Sequence, residues 1–527
     1  MIFDFAVSAE IAQADADVCI LGAGAAGITL AVELVRQGQR VLLLESGGSY
    51  AEKSQEALNE IERSGQSIKA PHAGRFRVLG GTTTRWGGQI SEFDAVDFQQ
   101  RDWVPGSGWP IEKSALQSYY QRALECEGLL PVLLDDKEVW QRAGMDEPIL
   151  GEALEAYFTR WCPEPNFARL HRAALDAPNL CVVLHATACA LLLNADTQSI
   201  RGVRCRNLQG REQIFTARRY VLCMGMMETI NLLLQPLEDG ATAPWQKNPW
   251  LGRGVQSHID YNAAKVIPMG WKKIERVFPN LYLDGRKYHP KLHATPQWQR
   301  EEQTLNIAGA ISFISLGDVE TDMRQLKTTA RNLLRRDWQA FDLRATLPAL
   351  RRLPMLARLA YHFYVSHRAY WPRNAQYWLR VHCEQEPQGA SRITLTAERN
   401  ALGLYRSHLD WRISLLEWKT IQRFAAQAQQ DLQRSGLARL ELQPELSEED
   451  GYRSVTFDDS YHWMSGTRMA VDARDGVVDT NLQLHGVRNA YVCSHSVFPG
   501  SGYANPVHTL LALALRLADH LTETADA

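Results

Sequence analysis

The sequence has few of the local signals that mark extracellular, metal-clustered or membrane-spanning proteins. Its nine cysteines are dispersed and no two form a C-x-x-C pair, so neither a disulfide framework nor a cysteine-bound metal cluster is expected. No window approaches the roughly 18 uninterrupted apolar residues of a membrane-spanning helix. Residues 1–17 are acidic and lack a basic segment ahead of an apolar one, unlike a secretory signal. We therefore expect a cytoplasmic protein with reduced thiols, no transmembrane segment and no metal site.

The composition also lacks an excess of charge. The 527 residues contain 57 Lys and Arg against 60 Asp and Glu, a net charge of −3, which gives no overall attraction to nucleic acid. No fixed-period repeat or low-complexity tract interrupts the chain. The length allows two or three globular domains with a large core.

The first fifty residues read as strand, glycine-rich turn, helix, strand and acidic residue. Asp17–Leu21 and Arg40–Leu44 are short apolar runs typical of buried strands, and Ile28–Gln37 repeats apolar residues at helical spacing. The sequence Gly-Ala-Gly-Ala-Ala-Gly at 22–27 joins the first strand to the helix. This order is typical of a dinucleotide-binding βαβ unit.

Each glycine of this motif has its own physical reason. Gly22 permits the tight turn, Gly24 lets the backbone approach a pyrophosphate, and Gly27 lets the helix and strand pack closely. The helix N-terminus then offers free N–H groups to the phosphates. Glu45 stands 18 residues after Gly27, where a carboxylate can bind a ribose hydroxyl. The competing interpretation is that the glycines only form a turn and that Glu45 is a solvated strand end. The motif alone does not distinguish NAD from FAD.

A second glycine-rich stretch indicates the nucleotide. Residues 79–88 read LGGTTTRWGG, a loop that can lie close to a flat ring and offer N–H and hydroxyl groups to it. Together with the first motif and Glu45, this loop resembles the glucose–methanol–choline (GMC) flavoprotein oxidoreductases. The resemblance covers both ends of the chain, about half of its residues, while 265–455 matches only in outline. The further segments that carry it are Arg218–Gly225 with Glu228 and Leu232–Leu234, Leu251–Gly254 with His258, His462–Met469, Gly476–Asp479 and Tyr491–Leu521.

The resemblance implies an α/β fold in two parts. One is a Rossmann-like FAD-binding domain built from residues 1–110, 180–265 and 456–527. The other is an α+β substrate-binding domain, residues 111–179 and 266–455, in which helices cover an antiparallel sheet.

The resemblance also implies FAD as the cofactor. Many family members carry a His where this chain has Arg85, and in some that His is bonded to the flavin; we therefore expect FAD to be bound non-covalently. Arg85 itself either pairs with a phosphate or flavin oxygen or forms a surface salt bridge. Trp86 and Trp463 either border the flavin or simply pack. The residues expected to bind the cofactor are Gly22, Gly24, Ala26, Gly27, Glu45, Gly81, Thr82, Thr83, Trp86, Gly87, Ala188, Asn505 and Pro506.

Two side chains are expected to carry the chemistry. His462 matches the family's general base, and a neutral imidazole can accept a proton near pH 7. Asn505 matches the second family position, where its amide can orient the substrate hydroxyl while Pro506 begins the last helix. His508 is a rival to Asn505, with a helix-facing role favoured. His495 is expected to be structural.

The implied activity is the oxidation of a CH–OH group to a carbonyl by hydride transfer to flavin N5, with a sugar, glycoside or other polar alcohol as substrate. Oxygen, a quinone or a redox protein would accept the electrons. Two alternatives stay open at this point: a lyase that keeps FAD without net redox chemistry, and a non-catalytic flavoprotein subunit that docks to a partner or membrane.

One segment carries an unusual local charge. Residues 324–373 contain eleven Lys and Arg and two Asp, a charge of +9, mixed with Leu, Tyr and Phe. Such a segment can form a solvated helical flap, lie on an anionic membrane or dock a redox partner. The flap is the favoured interpretation, because the rest of the chain is acidic enough to pair with it.

Overall fold

A computed structural model describes residues 1–7, 16–69, 74–145, 147–148, 150–237, 240–314 and 353–524. The part of the basic segment before residue 353 lies outside this range, so the prediction for 324–373 can be examined only at its end, where a helix spans Leu353–Tyr364. Among the helices described, none combines the length and hydrophobicity that a membrane crossing requires.

A six-stranded parallel sheet forms the first layer. Its apolar runs are buried because helices pack on them, as expected for parallel strands. Helix Ala25–Arg36 lies against the sheet and against the C-terminal helix Val507–Glu523. In spatial order the strands are Ile2–Asp4, Leu180–Leu184, Val41–Leu44, Ala16–Leu21, Ala217–Leu222 and Ala490–Val492.

A large antiparallel sheet forms the second layer. Helix Leu415–Arg434 covers it, beginning at a capping box between Ser414 and Glu417 and burying Trp418, Ile421 and Phe424 at helical spacing. The main path of the sheet runs through Ala438–Leu442, Ile259–Pro268, Gln376–Cys383, Ile307–Ile314, Arg286–Ala294, Leu154–Trp161 and Gln89–Ile90, with Leu281–Leu283 and Asp458–Asp459 paired at its sides.

Smaller elements complete the described chain. Two three-stranded sheets consist of Glu212–Phe215, Ile200–Arg206 and Thr187–Leu193, and of Arg392–Arg399, Tyr405–Trp411 and Ile61–Gly65. The remaining α-helices are Lys53–Glu56, Ala95–Phe98, Gln117–Cys126, Asp136–Arg142, Phe167–Leu170, Arg172–Leu175, Met226–Leu234, Trp271–Val277 and Pro296–Glu302. Short 3-10 turns span Ala57–Asn59, Gly81–Thr84, Lys113–Leu116, Pro244–Lys247, Pro444–Ser447, Gly451–Ser454 and His495–Val497. The predicted α/β fold class, a parallel sheet beside an antiparallel sheet covered by helices, is confirmed; the predicted domain boundaries stay a prediction.

Candidate active site

A cavity of about 760 Å³ opens at the carboxyl ends of the parallel strands. This is where open α/β sheets bind ligands, and the volume lies within the usual range of small-molecule sites. The predicted site residues that line it are Gly22, Gly24, Ala26, Glu45, Gly81, Thr82, Thr83, Trp86, Gly87, Ala188, His462, Asn505 and Pro506. Gly27 is the predicted residue that does not line it. The structure therefore brings together positions separated by more than 480 residues in the sequence.

The three glycines of the first motif play different steric roles. Gly22 has φ of +102°, a conformation that favours glycine. A Cβ on Gly27 would lie 1.9 Å from the Gly22 carbonyl oxygen, so this glycine serves helix–strand packing, as its absence from the cavity wall indicates. A Cβ on Gly24 would meet no protein atom within 4 Å, although Gly24 lines the cavity. The backbone at Gly24 therefore faces open space that a ligand can fill.

The second loop packs directly on the first. The Gly80 N–H donates to the Ala23 carbonyl at 2.9 Å, and a Cβ on Gly81 would lie 3.0 Å from the Gly24 Cα. Thr82 Oγ1 donates to the Gly74 carbonyl at 3.1 Å and Thr83 Oγ1 to the Gly80 carbonyl at 2.5 Å. Both hydroxyl protons are thus used inside the protein, which differs from the prediction that the loop offers them to a ring. We call the two loops together the glycine-loop wall.

Glu45 is buried against the first glycine loop, with 5% of its surface exposed. Its Oε2 accepts the Ala23 N–H and its Oε1 the Gly47 N–H, each at 2.8 Å. Burial raises the pKa of this carboxyl to about 7, although the two N–H groups and Arg77 oppose the shift. Glu45 therefore holds the glycine loop in shape; its role at a ribose stays a prediction.

Two arginines that the sequence analysis did not single out, Arg75 and Arg77, line the same cavity. Arg77 donates from Nη1 to Ser46 Oγ at 3.0 Å and from Nε to Asn59 Oδ1 at 2.7 Å. Arg75 Nη1 donates to Glu228 Oε1 at 2.7 Å. The two arginines stand two residues apart just before the second loop, but a pair of arginines has no distinctive spacing that marks it as part of a site.

His462 occupies the centre of a chain of polar side chains. Its Nδ1 lies 3.0 Å from His258 Nδ1, and its Nε2 lies 3.2 Å from Asn505 Nδ2. Burial, reinforced by His258, His382 and other nearby basic groups, holds the pKa of His462 well below its usual range. The ring is therefore neutral near pH 7 and retains one nitrogen lone pair. The structure places His462 and Asn505 side by side, as predicted from the sequence, but their catalytic roles stay predictions.

The two other histidines near the C-terminus are placed differently. His508 does not line the cavity; its Nδ1 lies 2.9 Å from Glu127 Oε2, and its ring stacks on Tyr120 at 5.2 Å. Burial opposes the charge on His508, but Glu127 more than offsets this and raises its pKa. His495 does line the cavity, although a structural role was predicted for it. The His495 ring donates a hydrogen bond to the Pro506 backbone, while its buried Nε2 has no partner among the described residues.

Arg85, Trp86 and Trp463 also line the cavity. The Arg85 guanidinium is exposed and lies 5.8 Å from the centre of the Phe76 ring. Trp86 donates its Nε1 hydrogen to the Pro165 carbonyl at 2.7 Å, and Trp463 is buried edge-on against Trp411 at 5.5 Å. Each of the three therefore has a protein partner as well as a face on the cavity.

Polar residues of the antiparallel sheet and of the loop after Asp459 line another part of the cavity, which we call the sheet wall: Asp260, Arg380, His382 and Tyr461. Asp260 and His382 are cross-strand partners, and Arg380 binds Asp260 through two hydrogen bonds of 2.6 and 2.5 Å. Tyr461 has φ of +59°, uncommon outside glycine, and 47% of its surface is exposed. None of these four was predicted, since each comes from a strand or loop without a local motif.

The residues present fit FAD. The Gly24 backbone faces space that no side chain fills, and the unpartnered His495 Nε2 offers a hydrogen-bond acceptor to a ligand N–H or O–H group. The cavity also joins the glycine-loop wall to His462 and Asn505 without interruption. One elongated cofactor can therefore reach from the glycine motif to the histidine.

Comparison with known proteins agrees with this arrangement. Residues 17–269 match a family model described as FAD dependent oxidoreductase, and residues 387–514 match one described as GMC oxidoreductase. The fold is similar to that of pyridoxine 4-oxidase from Mesorbium loti, with 16% identity, a TM-score of 0.56 and coverage of 96% of this chain and 99% of that one. It is also similar to a fungal aryl-alcohol oxidase, with 15% identity, a TM-score of 0.57 and coverage of 97% and 99%. At these identities the likeness shows the fold.

One curated relative aligns over a short stretch. The chain is 33% identical over 119 residues to 6'''-hydroxyparomomycin C oxidase of Streptomyces lividus. The match spans 20% of this chain and 21% of that protein. It therefore concerns about a fifth of the relative's length.

Proposed function

We propose that this chain, a member of the GMC oxidoreductase family with FAD as its cofactor, oxidises a CH–OH group of a polar alcohol, such as a sugar or glycoside, to a carbonyl. The observation that carries the proposal is the pairing of His462 and Asn505 in a cavity continuous with the glycine-loop wall.

The chain's own residues provide the proton chemistry. A substrate hydroxyl that inserts between Asn505 and His462 can donate its proton to His462 Nε2 and accept the Asn505 N–H that points there in the free protein, which would orient the carbon that loses hydride. Bound FAD supplies the acceptor of that hydride. Helix Val507–Glu523 begins at the cavity wall, where the partial positive charge of its N-terminus would stabilise negative charge.

The sheet wall supports a polar substrate. Asp260 and Arg380 together offer acceptors and donors, and Tyr461 adds an aromatic face, a combination suited to several hydroxyl groups beside the one oxidised. A polar substrate is also supported by the relative named 6'''-hydroxyparomomycin C oxidase. The structural neighbour named as an aryl-alcohol oxidase supports the alternative of a more apolar substrate.

Anaerobic reduction of the flavin tests the function. The purified yellow protein would be mixed without oxygen with sugars, glycosides and aryl alcohols, and loss of the oxidised-flavin absorption with the polar class is expected. Readmitting air distinguishes oxygen from a quinone or redox protein as the electron acceptor. If FAD is present and no alcohol reduces it, the proposal fails, and a lyase or a non-catalytic flavoprotein subunit takes its place.

For the basic segment 324–373 we propose a solvated flap, with contact to an anionic membrane at the periphery of the protein as the alternative. In its described part, helix Leu353–Tyr364 presents exposed Tyr361, Phe363 and Tyr364 near Arg358. Interfacial aromatic and basic residues suit such a surface. Cosedimentation with anionic vesicles, compared with neutral ones, would support the membrane contact; equal recovery would favour the solvated flap.

We also propose a reducing, cytoplasmic location. All nine cysteines are free thiols in the structure. Titration of the denatured protein, purified without reductant, should find nine reactive thiols, and a smaller number would contradict this.

A further inference from the structure

We propose that His258 is a positioning residue that holds His462 in its Nδ1–H tautomer, so that Nε2 faces the substrate as a lone pair. The inference rests on the proposed function, in which His462 is the base. It concerns a side chain that is absent from the cavity lining.

The chain of hydrogen bonds begins at a backbone carbonyl. His258 Nε2 lies 3.1 Å from the Ser501 carbonyl oxygen. A carbonyl oxygen can only accept, so His258 must carry its proton on Nε2. In a neutral ring the other nitrogen, Nδ1, then has the lone pair.

The position of the proton on His258 determines the position of the proton on His462. The two Nδ1 atoms lie 3.0 Å apart, a distance at which one proton lies between them. Because His258 Nδ1 has none, His462 Nδ1 must donate. His462 Nε2 is therefore unprotonated, and Asn505 faces it with Nδ2 as the donor at 3.2 Å. One carbonyl thus fixes two histidine tautomers and the orientation of one amide.

This series of hydrogen bonds requires His258 to be neutral. A charged His258 would donate from Nδ1 and force His462 to carry its proton on Nε2, where it could not accept one from a substrate. His258 is 1% exposed, and burial lowers its pKa to about 4, with Lys291 adding to the effect. Neutral His258 is therefore the form present near pH 7.

The backbone holds the two rings in register. Gln256 and Met464 exchange N–H···O=C hydrogen bonds of 2.9 and 2.8 Å, two residues from His258 and His462 respectively. Ser257 Oγ also lies 3.2 Å from Ser460 Oγ. The contact between the histidines is thus fixed by the fold on both sides rather than by the rings alone.

Two substitutions separate positioning from packing. His258→Asn places an amide oxygen where Nδ1 was, so it can still accept from His462, whereas His258→Leu fills similar space and accepts nothing. The measurement is ¹⁵N NMR of histidine-labelled holoenzyme, with the His462 signals assigned by their loss in His462→Asn. We expect His462 to be the Nδ1–H tautomer in the parent and in His258→Asn, and to shift toward Nε2–H in His258→Leu.

The kinetic readout is the rate constant of anaerobic flavin reduction at saturating substrate. It should fall roughly tenfold or more in His258→Leu, recover largely in His258→Asn, and leave KM little changed, because the base and not substrate binding is altered. Retained FAD content checks the fold of each variant.

An Nε2–H tautomer of His462 in the parent would overturn the inference, even if His258→Leu fails to fold. So would an unchanged tautomer and rate in a folded His258→Leu. If the tautomers are as expected but no alcohol reduces the flavin, the proposed function fails while the positioning role of His258 stands.

Discussion

The glycine-loop wall and the sheet wall enclose one cavity, yet the sequence encodes them in different ways. Gly22, Gly24 and Gly81 stand in short motifs because a backbone that turns tightly and approaches a ligand must omit side chains at set spacings. Asp260, Arg380 and His382 meet because antiparallel strands bring them into register, and no short motif records that pairing. A nucleotide site is therefore readable from local sequence, whereas a substrate site on a sheet depends on the tertiary fold.

The largest effect is expected for loss of the His462 side chain, which should impair the reaction but not cofactor binding. His462→Ala should lower the rate of anaerobic flavin reduction by roughly 10²- to 10⁴-fold, the usual contribution of a general base, and should retain FAD. Stopped-flow reduction and the flavin content of the purified variant are the measurements. His520→Ala, on the last helix and outside the cavity wall, is the matched control. A His462→Ala variant that reduces flavin at the parental rate would refute the assignment.

Alanine at either of two glycines in the glycine-loop wall should have different effects on protein stability and on FAD binding. Gly27→Ala should destabilise the apoprotein by about 1–3 kcal/mol or more, because its Cβ would lie 1.9 Å from a carbonyl oxygen. Gly24→Ala should change apoprotein stability by less than about 1 kcal/mol and mainly weaken FAD binding, because its Cβ enters open space. Urea unfolding and flavin titration measure the two effects. Equal losses of stability would show that Gly24 is not a ligand-facing position.

The buried carboxyl of Glu45 gives the glycine-loop wall a pH dependence. Its pKa is about 7 in the folded protein against an ordinary 4.5, so the folded state binds this proton more tightly than the unfolded chain. The corresponding stability is present below about pH 4.5 and is lost as the pH rises through about 7, by roughly 3 kcal/mol in total.

Glu45→Gln removes this titration. Between about pH 5 and pH 8, the apoprotein of the variant should lose less unfolding free energy than the parent does, by up to roughly 3 kcal/mol. The change with pH is compared, not the absolute stability, because the amide cannot accept both backbone N–H groups. Parallel pH curves for the two proteins would contradict the shifted pKa.

The sheet wall should act on substrate binding. Arg380→Gln loses a charged donor whose hydrogen bonds contribute about 1.5–3 kcal/mol, so KM should rise roughly 10- to 100-fold if the substrate replaces part of that network. The rate of flavin reduction at saturating substrate should change far less. An unchanged KM with a lower limiting rate would place Arg380 in the chemistry instead.

The smallest effect is expected at Arg85. Its exposed guanidinium contacts the Phe76 ring, an interaction of about 0.5–1 kcal/mol. Arg85→Ala should therefore change FAD affinity by no more than roughly fivefold, measured by flavin titration. A loss of binding comparable to that in Gly24→Ala would instead support pairing with a cofactor phosphate.

These comparisons also explain how far the sequence alone reaches. The βαβ unit, the second loop and the juxtaposition of His462 with Asn505 could be predicted, because motif spacing and family resemblance fix them. The Thr82 and Thr83 hydroxyl bonds and the cavity position of His495 could not, because they depend on which carbonyl lies nearby after folding. His258 belonged to a predicted motif, but its contact with His462 requires the bridge between Gln256 and Met464.

Hydride transfer itself is tested by anaerobic stopped-flow reduction with a polar alcohol deuterated on its hydroxyl-bearing carbon. We expect the alcohol to remove the oxidised-flavin absorption in the parent and deuterium to slow this step several-fold, because the C–H bond breaks as hydride leaves. Flavin that stays oxidised with every alcohol tried, or is reduced at the same rate by both isotopologues while that step is still limited by chemistry, would contradict hydride transfer from an alcohol.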